Sequence, residues 1–244
     1  MSTTVKRICG AHPMQLILVA DDSDSMSDAY QGIKGKKARD VSEGIKNWLI
    51  QLRGQTRAVK PYFYFSLIVF GTDADIVVEN TLINRIRPET IDLRGNSGVT
   101  NLADALREAK SVLERSQHEN YPVPYSDFCS PFVFVYTDGV ANQPIEAEKA
   151  ARELRSMALP CGEPQVVTLG FGDADHEFLE RIASTREHYV DCGHSENVMR
   201  LLPKIGTPPK AGAATEAGFA KGINDTSAQQ RQERIRRNPK FHQG

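Results

Sequence analysis

Five apolar residues, Leu16-Ile17-Leu18-Val19-Ala20, run straight into Asp21-Asp22-Ser23-Asp24-Ser25-Met26. An all-apolar run this short reads as a strand buried on both faces, the habit of a parallel sheet. In open α/β sheets ligands bind beyond the carboxyl ends of the strands, so this strand delivers its oxygen cluster to a binding edge. Asp21, Ser23 and Ser25 alternate, and a loop leaving the strand can turn three oxygens toward one point. Carboxylate and hydroxyl oxygens with no His or Cys among them suit a hard divalent cation, Mg2+ or Mn2+.

The rest of the chain supplies a sheet for that strand. After a polar lead-in over residues 1–13, the first strand occupies roughly 14–20. A helix begins near Lys36, because Val41, Ile45, Trp48, Leu49 and Leu52 recur at helical spacing, and Gly54 ends the pattern. Strands follow at 62–70 and 76–78, joined by a turn too short for a parallel crossover. They therefore form an antiparallel hairpin with the third strand at the sheet edge. Asn96-Ser97-Gly98-Val99-Thr100-Asn101 introduces a helix whose buried face carries Leu102, Leu106, Ala109 and Leu113. The strand at 132–137 ends in Thr137-Asp138-Gly139. A helix (145–158), a strand (165–169), a helix (174–182), a strand (188–191) and a helix (195–205) complete the body. This alternation predicts a mainly parallel six-strand α/β sheet with helices on both faces.

Composition mostly excludes. A net charge of -1 over 244 residues gives no bias toward nucleic acid or membrane. Cys9, Cys129, Cys161 and Cys192 form no CxxC pair, so neither a zinc site nor a disulfide framework is expected, and a reducing cytoplasm is. No run reaches membrane-spanning length. Residues 206–244 differ from the body: seven basic residues against three acidic and few large apolar ones predict a basic, flexible C-terminal tail, with a basic helix over 226–237 on a partner or anionic surface as the lesser alternative.

Three oxygen-rich segments stand at equivalent places: Asp21-x-Ser23-x-Ser25, Gly98-Val99-Thr100 and Thr137-Asp138-Gly139. In that order, with a helix of type TNLxxAL after the second, they resemble the metal-ion-dependent adhesion site of von Willebrand factor A (vWA) domains. Phe65-Ser66-Leu67-Ile68-Val69-Phe70-Gly71-Thr72-Asp73-Ala74 is also similar to that family's second strand and turn. The resemblance spans roughly residues 14–205 and implies a Rossmann-like vWA fold. It implies Ser23, Ser25 and Thr100 as hydroxyl ligands of Mg2+ or Mn2+, with Asp21 and Asp138 bound directly or through water. One coordination position is left for an Asp or Glu of a partner protein. The compact form without disulfides further resembles bacterial vWA proteins of tellurium-resistance and stress or conflict gene clusters. That implies a non-enzymatic cytoplasmic adaptor for kinase, phosphatase or ATPase components. Two residues depart from the common pattern: Asp24 stands where Gly is usual, and Asp22 where a neutral residue is.

Those two carboxylates also permit an enzyme. Asp22-Ser23-Asp24 resembles the DxD motif of haloacid-dehalogenase-type phosphatases, in which one Asp attacks phosphorus and the other acts as acid/base. Thr137, the Gly172-Asp173 turn before Asp175 and Glu177, and Lys149 would complete it. That reading leaves Asp21 idle and gives the Gly98–Thr100 segment no role.

Overall fold

The computed structural model describes residues 12–27, 33–59, 63–202 and 216–237. Among these residues six strands form one sheet: β1 (Met14–Asp21), β2 (Phe63–Phe70), β3 (Ala74–Leu82), β4 (Phe132–Thr137), β5 (Gln165–Phe171) and β6 (Tyr189–Gly193). Their order is β3-β2-β1-β4-β5-β6, with every pairing parallel except the β2–β3 hairpin at one edge. The chain winds outward from β1 to β2 and β3, then returns to the other side of β1 at β4. The gap between the carboxyl ends of β1 and β4 is thus the topological switch point, where open sheets bind ligands.

Helices cover both faces because alternate strand residues point to opposite sides. Leu16, Leu18 and Ala20 of β1 and Phe132, Phe134 and Tyr136 of β4 share one core with α1 (Lys36–Val59) and α5 (Ser195–Leu201). Ile17, Val19, Val133 and Val135 face the other way, onto α2 (Leu102–Ser116), α3 (Pro144–Arg155) and α4 (His176–Ile182). Trp48 anchors the first layer: it is fully buried, with ring centroids 5.2 Å from Phe134 and 6.1 Å from Phe65, edge-on to both. At the opposite edge from the switch point, Tyr121 and Tyr125 pack with Tyr64 and Phe128, away from the oxygen-rich loops.

Two expectations fail. Helix α1 does not stop at Gly54 but continues to Val59. Gly54 lacks the positive φ of a helix-ending glycine, and a Cβ there would meet nothing within 4 Å, so it is only an exposed weak point in the helix. The basic tail is the second. Residues 216–237 form a helix, α6 (Glu216–Arg237), laid along β6 at the sheet edge. Ile223 is buried in the core, the Ser227 hydroxyl donates to the Tyr189 carbonyl at 2.6 Å, and Arg231 donates to the carbonyl of Arg186. The packed face is Ile223, Thr226, Ser227 and Gln230, mostly polar, so composition reads it as solvated. Covering β6 satisfies an edge that would otherwise be open to pairing. The remainder of the segment, 206–215 and 238–244, lies outside the described residues, as does the lead-in before His12. Among the described residues no helix is long and apolar enough to cross a membrane.

Candidate metal centre

Parallel pairing places the site's two halves side by side. Ala20 is in register with Tyr136, so Asp21 and Thr137 follow as neighbours at the switch point. Asp21 is fully buried; one carboxylate oxygen accepts from the Ser23 amide at 2.9 Å and the other from the Thr137 hydroxyl at 2.5 Å. The first bond folds the loop back over the strand end and sets Ser23 and Ser25 on one side. Their hydroxyls stand 3.0 Å apart, and Thr100 reaches in from the β3–α2 connection to place its hydroxyl 3.2 Å from that of Ser23. Ser25 in turn donates to Asp138, beyond the end of β4, at 2.7 Å. All five sequence-predicted residues are therefore joined in one hydrogen-bonded cluster drawn from three segments.

The spacing suits a small cation. Around an octahedral ion with metal–oxygen bonds of about 2.1 Å, neighbouring ligand oxygens lie about 3.0 Å apart. The Thr100–Ser23 and Ser23–Ser25 separations of 3.2 and 3.0 Å are edges of that length. Gly139 keeps the ring tight, since a Cβ there would come 3.0 Å from the Thr100 hydroxyl oxygen. Among the described residues no three His, Cys, Asp or Glu side chains gather as a metal site; this cluster instead joins three hydroxyls to the Asp21 and Asp138 carboxylates. Burial pushes the Asp21 carboxyl up to about 6; hydrogen bonds from Ser23 and Thr137 oppose the shift, and the nearby Asp138 charge adds to it.

Asp22 and Asp24 face the other way. One oxygen of Asp22 accepts the amides of Arg94 and Gly95 at 2.7 and 2.5 Å, and the other accepts the Ser97 hydroxyl at 3.0 Å. Asp24 exchanges two bonds with Gly98: its amide donates to the Gly98 carbonyl at 2.8 Å, and its carboxylate accepts the Gly98 amide at 3.0 Å. Gly98 has φ +84°, and a Cβ would strike the Thr72 hydroxyl, so the loop depends on both the glycine and its clamp. These two carboxylates brace residues 94–98 and thereby hold Thr100 over the site. A phosphatase would need Asp22 free to attack phosphorus; here both its oxygens are engaged. Lys149, that reading's cation, is exposed on α3.

One residue of the site escaped the sequence reading. Lys37, in the first turn of α1, is nearly buried and places its ammonium 2.6 Å from the second oxygen of Asp138 and 3.3 Å from the Ser25 carbonyl. A signal was present: α1 opens with Lys36-Lys37 and no acidic residue, against the preference of a helix N-terminus for negative charge. Cations in that position need an anion elsewhere. Lys36 finds Asp40 and Glu196, and Lys37 finds Asp138.

The architecture defines a class: a doubly wound, mostly parallel α/β domain with hydroxyl and carboxylate oxygens gathered at its switch point. The von Willebrand factor type A domain model matches residues 15–205, and the chain belongs to that family. Solved structures agree in fold. The pilus adhesin SpaC from Lactobacillus rhamnosus GG superposes with a TM-score of 0.64 at 16% identity, over 88% of this chain and 31% of the adhesin. Proximal thread matrix protein 1 from the mussel byssus, in a structure with a zinc-occupied MIDAS motif, gives 0.56 at 16% identity, covering 81% of this chain and 48% of that one. The manganese-loaded TRAP protein of Plasmodium vivax gives 0.53 at 17% identity, covering 80% and 75%. The chain thus spans 31% of the adhesin's length and 48% of the byssus protein's. No curated protein is significantly similar in sequence.

Proposed function

We propose that this domain binds another protein through a divalent cation, Mg2+ or Mn2+, held by Ser23, Ser25 and Thr100, with Asp21 and Asp138 bound directly or through water. The observation that carries this reading is the set of hydroxyls at octahedral edge lengths, assembled at the switch point. When bound, the ion supplies an electrophilic position that a carboxylate can fill. Asp21 and Asp138 hold the hydroxyls in place, and the Asp22 and Asp24 clamps hold the Gly98–Thr100 segment against the Asp21–Ser25 loop. The zinc-occupied MIDAS motif of the byssus protein and the manganese-loaded TRAP protein support a divalent metal in this domain.

A protein is the better partner for this surface than a free ion. Val99 and Val140, each beside a site residue, are 53% and 59% exposed, and Ile145 at the start of α3 is 80% exposed. Apolar groups on the rim of a polar site suit a partner that presents an Asp or Glu among apolar side chains. We read the chain as a non-enzymatic adaptor of a cytoplasmic bacterial assembly with kinase, phosphatase or ATPase components. The buried cysteines Cys129, Cys161 and Cys192, none in a disulfide, are compatible with that compartment. Affinity capture from native lysate, with Mg2+ or with chelator, tests the reading. A partner retained only with Mg2+ and lost in Thr100→Ala is expected; a partner held equally under chelation would contradict it.

A further inference from the structure

We propose that Lys37 is a resident counter-cation of the metal centre, weakening its hold on the metal while raising the bound metal's affinity for an anionic ligand. The inference rests on the metal-binding reading above and assigns it a determinant outside the predicted ligands.

Four carboxylates surround the loop: Asp21, Asp22, Asp24 and Asp138. Asp22 and Asp24 accept backbone amides, which solvate them but do not neutralise them. A divalent ion among four negative charges would be over-compensated, and an incoming carboxylate would meet net repulsion. Lys37 offsets one of the four from inside the protein. Its side chain is 9% exposed and that of Asp138 is 0% exposed, so water screens the pair little.

Geometry makes the two halves of Asp138 different. One oxygen takes the Ser25 hydroxyl and faces the centre; the other takes Lys37 and faces α1. The lysine thus occupies one oxygen of Asp138, disfavouring bidentate coordination of a metal by that carboxylate. A second bond from the same ammonium, to the Ser25 carbonyl at 3.3 Å, ties it to the residue that bridges carboxylate and hydroxyls. The β5–α4 turn closes over this arrangement at Gly172. With φ +63°, that glycine would bring a Cβ within 3.8 Å of both the Lys37 ammonium and the Asp138 Cβ. Lys37 and Asp138 are enclosed together, which is the setting in which a fixed charge acts most strongly on a neighbouring ion.

Mn2+ titrations of the wild type, Lys37→Met and Lys37→Gln test this, read by the free-Mn2+ paramagnetic resonance signal and by the thermal midpoint. Met keeps the length and removes charge and donor. Gln removes the charge but keeps an N–H donor, on a side chain one atom shorter, so it is the more polar of the two neutral replacements in the buried site. Both variants should half-saturate at least tenfold lower in Mn2+ than the wild type. Replacing chloride by acetate should strengthen wild-type Mn2+ binding and leave both variants nearly unaffected. If the variants half-saturate at the wild-type concentration, or respond to acetate as it does, the role of Lys37 is overturned while the metal site stands. Absence of Mn2+ binding in all three overturns the metal reading and this inference with it.

Discussion

Five consecutive residues, 21–25, face two ways, and the two sides do different work. Asp21, Ser23 and Ser25 turn toward β4 and meet mainly side chains, those of Thr137, Thr100 and Asp138, the exception being the Ser23 amide on one Asp21 oxygen. Asp22 and Asp24 turn toward the β3–α2 connection and meet mainly backbone amides, those of Arg94, Gly95 and Gly98. Both sides carry carboxylates, so residue type alone does not separate them. What separates them is the donor. A carboxylate that holds amides is committed to keeping a loop in place, because releasing it leaves buried N–H groups unpaired. Oxygens whose partners are other side chains can exchange those partners for a cation.

That contrast can be broken most severely at Asp22. Asp22→Ala should cost roughly 4 kcal/mol, since it strands two amides and a hydroxyl. It should also abolish the metal response although Asp22 touches no proposed ligand; urea unfolding with and without Mg2+ checks both. The next effect is a pH dependence on the inward side. Asp21 has its folded value raised to about 6 by burial, above its ordinary 3.8. The folded state therefore holds more protons than the unfolded one between these values, and metal-free stability should fall as pH rises through that window. The loss should be up to roughly 3 kcal/mol, and Asp21→Asn should flatten the profile. Mn2+ competes with that proton, so its affinity should fall about tenfold per pH unit below 6, measured by calorimetric titration. Ser25→Ala should weaken Mn2+ binding at least tenfold yet change metal-free stability by no more than about 1 kcal/mol. Asp24→Ala is the mildest, about 1 kcal/mol, with metal affinity reduced only severalfold through a looser Thr100.

Much of this was legible in the sequence because two periodicities were clean. The apolar run before Asp21 and the stretch before Thr137 are the central strands of the sheet, and their registers bring Asp21 and Thr137 together. The order of the three oxygen-rich segments, with the family resemblance it carries, points to Asp21, Ser23, Ser25, Thr100 and Asp138, and the fold brings these five together. Asp22 and Asp24 were visible but not interpretable, since their role depends on a loop about seventy residues away that no local pattern connects to them. Lys37 was hidden for the same reason, its partner Asp138 lying 101 residues on. The packing of the last helix on β6 was hidden differently. Ile223, Ser227 and Gln230 fall on one face at helical spacing, but only one of the three is apolar, and a hydrophobic reading cannot see a packing face made of hydroxyls and amides.

The central claim is that the inward-facing oxygens hold one divalent ion. Its most direct test is Mn2+ binding stoichiometry on the intact chain, compared between the wild type and Ser23→Ala. The expected result is one ion per chain in the wild type, with a thermal midpoint raised by roughly 5–10 °C at saturation and no change in Ser23→Ala. A folded wild-type chain that takes up no ion at millimolar Mn2+, or a Ser23→Ala variant that binds as the wild type does, would contradict it.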